Sequence, residues 1–302
     1  MTHTPVRPRD PLSPRVLSRL AGLAKAVFFT LVCAVVIVPF VGMISTSLAS
    51  REQITNAGGY VMWPDAPTLD AYTAIFDGGV VTRALAVSVG VTVTGTLLSL
   101  MCTALLAYSL SRPGSFAHKP LLMVVLFTLL FTPGIIPSYL LVKNLGMIDS
   151  YWSIILPTAI NAFNVIVMRA FFMDLPQELL ESARIDGASD FTVLLRIILP
   201  LSRAVLAVIG LFYAVSYWNA FFAPLLYLND SSKWPLQLVL RTYVVNNTEL
   251  GVDQLSASME ALPPQQSIQM AILLVSILPI LLVYPFLQRH FTKGMLTGAV
   301  KG

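Results

Sequence analysis

The sequence predicts an all-α polytopic membrane protein built on six transmembrane helices, and three observations carry that expectation. Hydrophobic residues fill 56% of the 302 positions and charged residues only 11%, whereas a water-soluble domain carries roughly 25% charged residues and needs polar surface to coat itself. Mean hydropathy is +0.77. The apolar residues gather in six runs, at 26–48, 84–110, 119–142, 150–172, 202–228 and 267–288. Each approaches the ~20 residues, at ~1.5 Å apiece, that cross ~30 Å of hydrocarbon. Backbone groups find no water there, so each run is expected as a helix, within one domain covering 1–302.

The first run follows basic residues and precedes "SLAS", as in a secretory leader. Its apolar part exceeds the ~7–15 residues of such leaders, so it reads as a retained span. The third run carries Pro133, Gly134 and Pro137, a place for a kink. The fourth holds Pro157, Asn161 and Asn164, and the fifth ends in "SYWNAF". With the N-terminus inside, 14 of the 19 Lys and Arg residues share its side, and Arg51, Arg83, Lys143, Lys233 and Arg241 fall opposite. Positive charge is retained inside, which places both termini in the cytoplasm. The net charge of +4 sits at the ends of apolar runs rather than in a patch, which argues against nucleic acid.

Two long outer loops result, at 49–83 and 229–266. Trp63, Asp65, Asp70, Trp234 and Tyr243 in them suit either a transient protein interface or loops stiffened at the membrane surface.

Between the fourth and fifth runs lies "ELLESARIDGASDFTVLLRIILP" (178–200). Asp174 and Pro176 suit a helix start. Glu178 and Glu181 sit in early turns, where negative charge opposes the helix dipole. Leu175, Leu179 and Ala183 form a stripe four residues apart, and Glu181 can pair with Arg184. Gly187 supplies a break. Ser189 caps a second helix with Phe191, Leu194, Leu195 and Ile198 on one face, and Pro200 closes it. The expectation is a helix–turn–helix over 174–200 on the cytoplasmic side. It either packs as a lid on its own bundle or docks a partner.

Polar residues inside spans face a cavity or another helix. Asn161, Asn164, Tyr217, Trp218, Asn219 and Tyr139 offer amides and aromatic faces suited to a sugar, or they glue helices together. An intramembrane enzyme is disfavoured, because no G-x-S-x-G or H-E-x-x-H occurs and no paired carboxylates sit mid-span. An ion-coupled carrier is disfavoured because ionisable residues are nearly absent from the runs. His3, His118 and His290 are too scattered for a metal, and Cys33 and Cys102 sit in apolar runs as small hydrophobes. No G-x-x-x-x-G-K-[ST] phosphate loop occurs, so no nucleotide site is expected on this chain.

The 178–200 segment resembles the EAA loop of the membrane subunits of binding-protein-dependent ATP-binding-cassette importers. Glu181-Ser182-Ala183 fills the Glu-Ala-Ala triplet, Asp186-Gly187-Ala188 the turn, and Ile197, Leu199 and Pro200 the end. Ser182 departs from the common Ala, and Arg203 stands where many relatives have proline. The tail "FTKGMLTGAVKG" (291–302) is similar to that of the sugar-transporting, MalG-like branch.

The resemblance implies a permease subunit without catalytic residues, in a bacterial plasma membrane, passing a sugar delivered by an extracytoplasmic solute-binding protein. A permease for a non-sugar solute is the alternative. It also implies a second homologous permease subunit and a dimeric cytoplasmic ATPase, which holds the ATP and Mg. Glu178, Leu179, Glu181, Ser182, Ala183, Asp186, Gly187, Ala188 and Phe191 would contact that ATPase. So would the tail 289–302, through Gly298, Lys301 and Gly302.

Overall fold

The computed structural model describes residues 14–77, 79–112, 114–244 and 263–299, with side chains from residue 18 to residue 285. Helices and turns, and no strand, are found among them. The chain packs as two compact units, Met1–Ala71 with Pro263–Ala271, and Tyr72–Leu262 with Ile272–Gly302.

In the first unit, α1 (Pro14–Leu48) is apolar on every side, with a mean hydropathy of 2.8 over its most apolar part. Its last turn is polar and holds the chain that follows. The Thr46 hydroxyl donates to the Val61 carbonyl (3.2 Å) and accepts the Val61 N–H (2.9 Å), while Ser45 donates to the Met62 carbonyl. α2 (Arg51–Asn56) starts at Ser50, whose hydroxyl takes the Gln53 N–H. The Gln53 amide in turn bonds the Trp63 carbonyl and the Asp65 N–H. This 49–65 segment is therefore folded, although Trp63 is 77% exposed.

Further helices are α3 (Asp70–Asp77), α4 (Val80–Ser111), α5 (His118–Leu130), α6 (Ile135–Asn144), α7 (Trp152–Ile155) and α8 (Ala162–Met173). They continue with α9 (Gln177–Ile185), α10 (Asp190–Val193), α11 (Leu199–Leu201), α12 (Arg203–Trp218), α13 (Phe222–Tyr227), α14 (Leu236–Val244) and α15 (Gln265–Ala299). The core of the second unit is α4 against α8 and α12. Along α4, buried Gly95, Ser99, Thr103 and Ala107 recur every fourth residue, one face of a helix. They let α12 approach closely, as small residues do where lipid gives no hydrophobic drive. A Cβ on Gly95 would stand 2.8 Å from the Tyr217 ring.

Three described helices are long and apolar enough to cross a membrane alone: Ser18–Leu48, Val80–Ser111 and Gln265–Pro285. Two bent pairs raise this to five: Trp152–Thr158 with Ala162–Met173 at 50°, and Asp190–Leu201 with Arg203–Trp218 at 85°. The run 119–142, read as one span, is two helices parted at Phe131–Gly134. Pro133 has no N–H for the preceding turn and disfavours helix in Thr132. The fifth run also stops short, since Asn219 ends α12 and α13 follows separately.

Candidate functional site

A cavity of about 840 Å³ opens in the second unit between α5, the α7–α8 break and α12. Asn161, Asn164 and Tyr217 line it, together with Thr128, Thr132, Thr158, Phe163, Phe212, Tyr213 and Ser216. Among the described residues no Asp, Glu, Lys, Arg or His lines it.

The break itself is held by two tyrosines. The Tyr217 hydroxyl donates to the Ile155 carbonyl (3.1 Å) and accepts from Thr158 (3.3 Å). Its only proton is thereby used, so Ser99, 2.8 Å away, is the donor of their shared bond. One turn earlier, the Tyr213 hydroxyl accepts the Asn161 N–H (3.0 Å) and bonds Thr103 (2.7 Å). The Asn161 side-chain oxygen takes the Asn164 N–H, which caps α8. Asn161 thus has a structural task as well as a place in the cavity lining.

Tyr139, Trp218 and Asn219 are not among the lining residues. The Trp218 indole N–H donates to the Ser276 carbonyl (3.0 Å), Asn219 bonds the Val215 carbonyl of its own helix, and Tyr139 stacks on Tyr227. Tyr213, Ser99, Thr103 and Thr158 are residues that the sequence reading passed over. A Tyr–Tyr pair four apart opposite a Ser–Thr pair four apart is the signal that marks the first three.

The 174–200 segment departs from expectation in several places. Asp174 closes α8 rather than starting the next helix, which begins after Pro176. α9 ends in a Schellman motif. Gly187 (φ +79°) donates to Arg184 O and Ala188 to Ala183 O. Ser189 caps α10 through the Thr192 N–H. Glu181 and Arg184 form no ion pair with each other; Asp190 pairs with Arg112 instead. Pro200 does not close the segment. A π-turn over Leu194–Ile198 leads into α11, and the chain turns at Ser202. Leu180, Val193, Leu194 and Ile198 are buried in the core with α4 and α12, while Leu179, Ile185, Phe191 and Leu195 are exposed. Of the expected stripe, Leu175 and Ala183 pack against this core, and Leu180 rather than Leu179 is the buried residue between them.

In the tail, Gly298 lies in α15 beyond the described side chains, and Lys301 and Gly302 lie outside the described residues. Among the described residues no three His, Cys, Asp or Glu side chains gather as a metal site, and Cys33 and Cys102 are free thiols.

One polar tie joins the two connections flanking α7 and α13. Asp149 (φ +60°) accepts the Asn229 and Asp230 N–H groups through one oxygen, and the Lys233 ammonium through the other (2.8 Å). The Lys233 hydrogen bond, with that of the Asp230 backbone, holds the Asp149 carboxyl below the usual aspartate range. The same bond raises the Lys233 ammonium.

Broken apolar helices around this cavity, with buried tyrosine hydroxyls closing the α7–α8 break, fit a polytopic helical transport component rather than a soluble domain or a simple anchor. Residues 95–297 match the family described as the binding-protein-dependent transport system inner membrane component. The chain belongs to that family and is a multi-pass membrane protein. It is 46% identical over 274 residues to the polygalacturonan/rhamnogalacturonan transport system permease protein YtcP of Bacillus subtilis (strain 168), which covers 91% of this chain and 94% of that one. It is 45% identical to LplC of the same organism, across 94% of this chain and 96% of that one. Among solved structures, a bacterial ABC transporter involved in the import of the acidic polysaccharide alginate matches 93% of this chain and 100% of the other, with a TM-score of 0.85 at 30% identity.

Proposed function

We propose that the chain is the membrane-spanning permease subunit of an ATP-driven importer that passes a sugar, of oligosaccharide size, delivered by an extracytoplasmic solute-binding protein. The observation that carries this reading is the cavity of about 840 Å³, whose largely apolar wall carries amides, hydroxyls and aromatic rings and, among the described residues, no acidic or basic side chain. Hydroxyl-rich cargo is met by such groups: Asn161, Asn164 and Ser216 exchange hydrogen bonds with it, and Phe163 and Phe212 present ring faces. The named cargoes of YtcP and of the alginate importer support a carbohydrate.

In this reading the chain crosses the membrane six times, the broken 118–144 pair counting as one crossing, with both termini cytoplasmic. It pairs with a second homologous permease subunit. ATP and Mg belong to a dimeric cytoplasmic ATPase, into which α9 and α10 seat together with the tail at Gly298, Lys301 and Gly302. The acidic and turn residues Glu178, Glu181, Asp186 and Gly187 lie at that contact, with Ser182, Ala183 and Ala188 beside them. Driving a gate from 1:99 to 99:1 takes about 5.5 kcal/mol of differential binding. Seating an apolar side chain gives about 1.5–3 kcal/mol, so Leu179, Ile185 and Phe191, all exposed, suffice. Leu180 and Leu194 do not take part, because they are already buried in this subunit.

Gly187→Pro tests the coupling role. Proline fixes φ near about −65°, against +79° here, and removes the N–H given to Arg184. In the assembled importer, uptake should vanish while ATP hydrolysis continues; normal uptake by this variant would refute the role.

A further inference from the structure

The contacts of the 174–200 segment are uneven. α10 follows α8 and α9 in the chain, yet its polar attachment is to α4. Arg112, just past the end of α4, forms an ion pair with Asp190, the first residue of α10. The same guanidinium donates to the Tyr108 hydroxyl (2.9 Å) and lies 5.0 Å above the Tyr108 ring. The Tyr108 hydroxyl then donates to the Asp190 carbonyl (3.2 Å). Both the side chain and the backbone of Asp190 are thus held by α4, and the contact is reinforced below by buried Val193 and Leu194 in one cluster with Ala104, Ala107 and Tyr108. Arg169 of α8 closes the same end by donating to the Leu110 carbonyl (2.7 Å).

Two to three turns further along α4, Ser99 and Thr103 hold the Tyr217 and Tyr213 hydroxyls. Those hydroxyls in turn fix Ile155 O and the Asn161 N–H, the two edges of the break that borders the cavity. One unbroken helix therefore carries hydrogen bonds to the cytoplasmic segment at one end and to the cavity wall at its middle. Between the two attachments α4 buries the small Ala104 and Ala107 in the same core, so its backbone lies close to the helices packed on it.

We propose that α4 is the rigid link that carries motion of the coupling loop to the cavity, with Arg112–Asp190 and Tyr108 as its cytoplasmic attachment and the Ser99–Tyr217 and Thr103–Tyr213 bonds as its attachment at the wall. The proposal rests on the coupling role of that loop given above. Arg112 and Tyr108 are positioning residues: they touch neither cargo nor nucleotide. Spatial continuity alone does not establish coupling between two sites, so the proposal is tested by energetic dependence and by cross-linking.

Arg112→Glu, Asp190→Arg and the double exchange are compared in proteoliposomes holding the whole importer, with uptake per ATP hydrolysed as the readout. Each single variant should lower that ratio about tenfold, within the range of coupling between charged partners in contact, and the exchange should restore most of it. Wild-type ratios in the single variants, or a double variant no better than either, would overturn the proposal. Misfolding is separated by a second measurement. Cysteines at 112 and 190, in a chain with Cys33 and Cys102 replaced by Ala, are joined by a short bifunctional maleimide. A rigid link predicts that the joined protein still transports, and loss of transport on joining counts against it. Gly187→Pro is run alongside. If it uncouples while the Arg112 and Asp190 variants do not, the link fails and the coupling role stands; if it does not uncouple, both fall.

Discussion

Tyr217 uses its hydroxyl three times, toward Ser99, Thr158 and the Ile155 carbonyl, in a site where its side chain is buried. Tyr217→Phe keeps the ring and leaves those groups short of a partner. A buried group left unpaired costs about 1–3 kcal/mol, so a lower melting temperature of the purified protein is expected. An unchanged value would mean that water replaces the hydroxyl. Gly95→Ala attacks the same contact from the other side. The added Cβ meets a ring that three hydrogen bonds hold in place, 2.8 Å away, and overpacking of this kind costs about 1–3 kcal/mol. If Gly95→Ala melts like the parent, the close approach of α4 and α12 is not tight. Sequence alone left Tyr217 between a cargo contact and a helix-gluing role, because a polar aromatic inside a span is costly and needs one or the other. It did not reveal that the hydroxyl was already satisfied, since the partners lie 118 and 62 residues away.

Among elements, the connections bearing Asp149 and Lys233 behave as one tied unit, and its pH range follows from the two shifts. Asp149 is depressed below its ordinary value of about 4, so its contribution is complete above that value and is lost as pH falls through the lower folded one. Lys233 is raised above its ordinary value of about 10.4, so its contribution is complete below that value and is lost as pH rises through the higher folded one. Proteolytic nicking at 229–233 should therefore stay slow across the middle of the pH scale and rise at both extremes. Asp149→Asn should raise the rate at neutral pH, and identical rates for variant and parent would remove the tie. The existence of helices was legible in the apolar runs. Where they break was legible only in part: Pro133, Pro157 and Pro200 each stand within a few residues of a break, but none of them announces that the chain turns by 85° at Ser202.

For the whole molecule, orientation is the first test. With Cys33 and Cys102 replaced by Ala, a cysteine at exposed Ser231 should react with an impermeant maleimide in intact cells, and one at Phe116 (93% exposed) only after permeabilisation. The reverse labelling pattern would invert the topology. Energy supply is the second. The purified chain alone in liposomes should move no sugar when given ATP, because no phosphate-binding loop exists in the sequence; nucleotide-driven uptake by the isolated chain would contradict the proposed division of labour.

The sequence by itself determined the solvent of this protein, where its apolar runs lie, and the presence of the Glu181–Pro200 segment. These follow from composition and local periodicity, which any stretch of chain carries within itself. The tertiary structure alone decided which polar residues face the cavity and which apolar residues of that segment remain free. It also decided that Asp190 is bound to α4 rather than to its own neighbours. Those outcomes depend on helices brought together from distant parts of the chain, where packing rather than spacing chooses each side chain's partner.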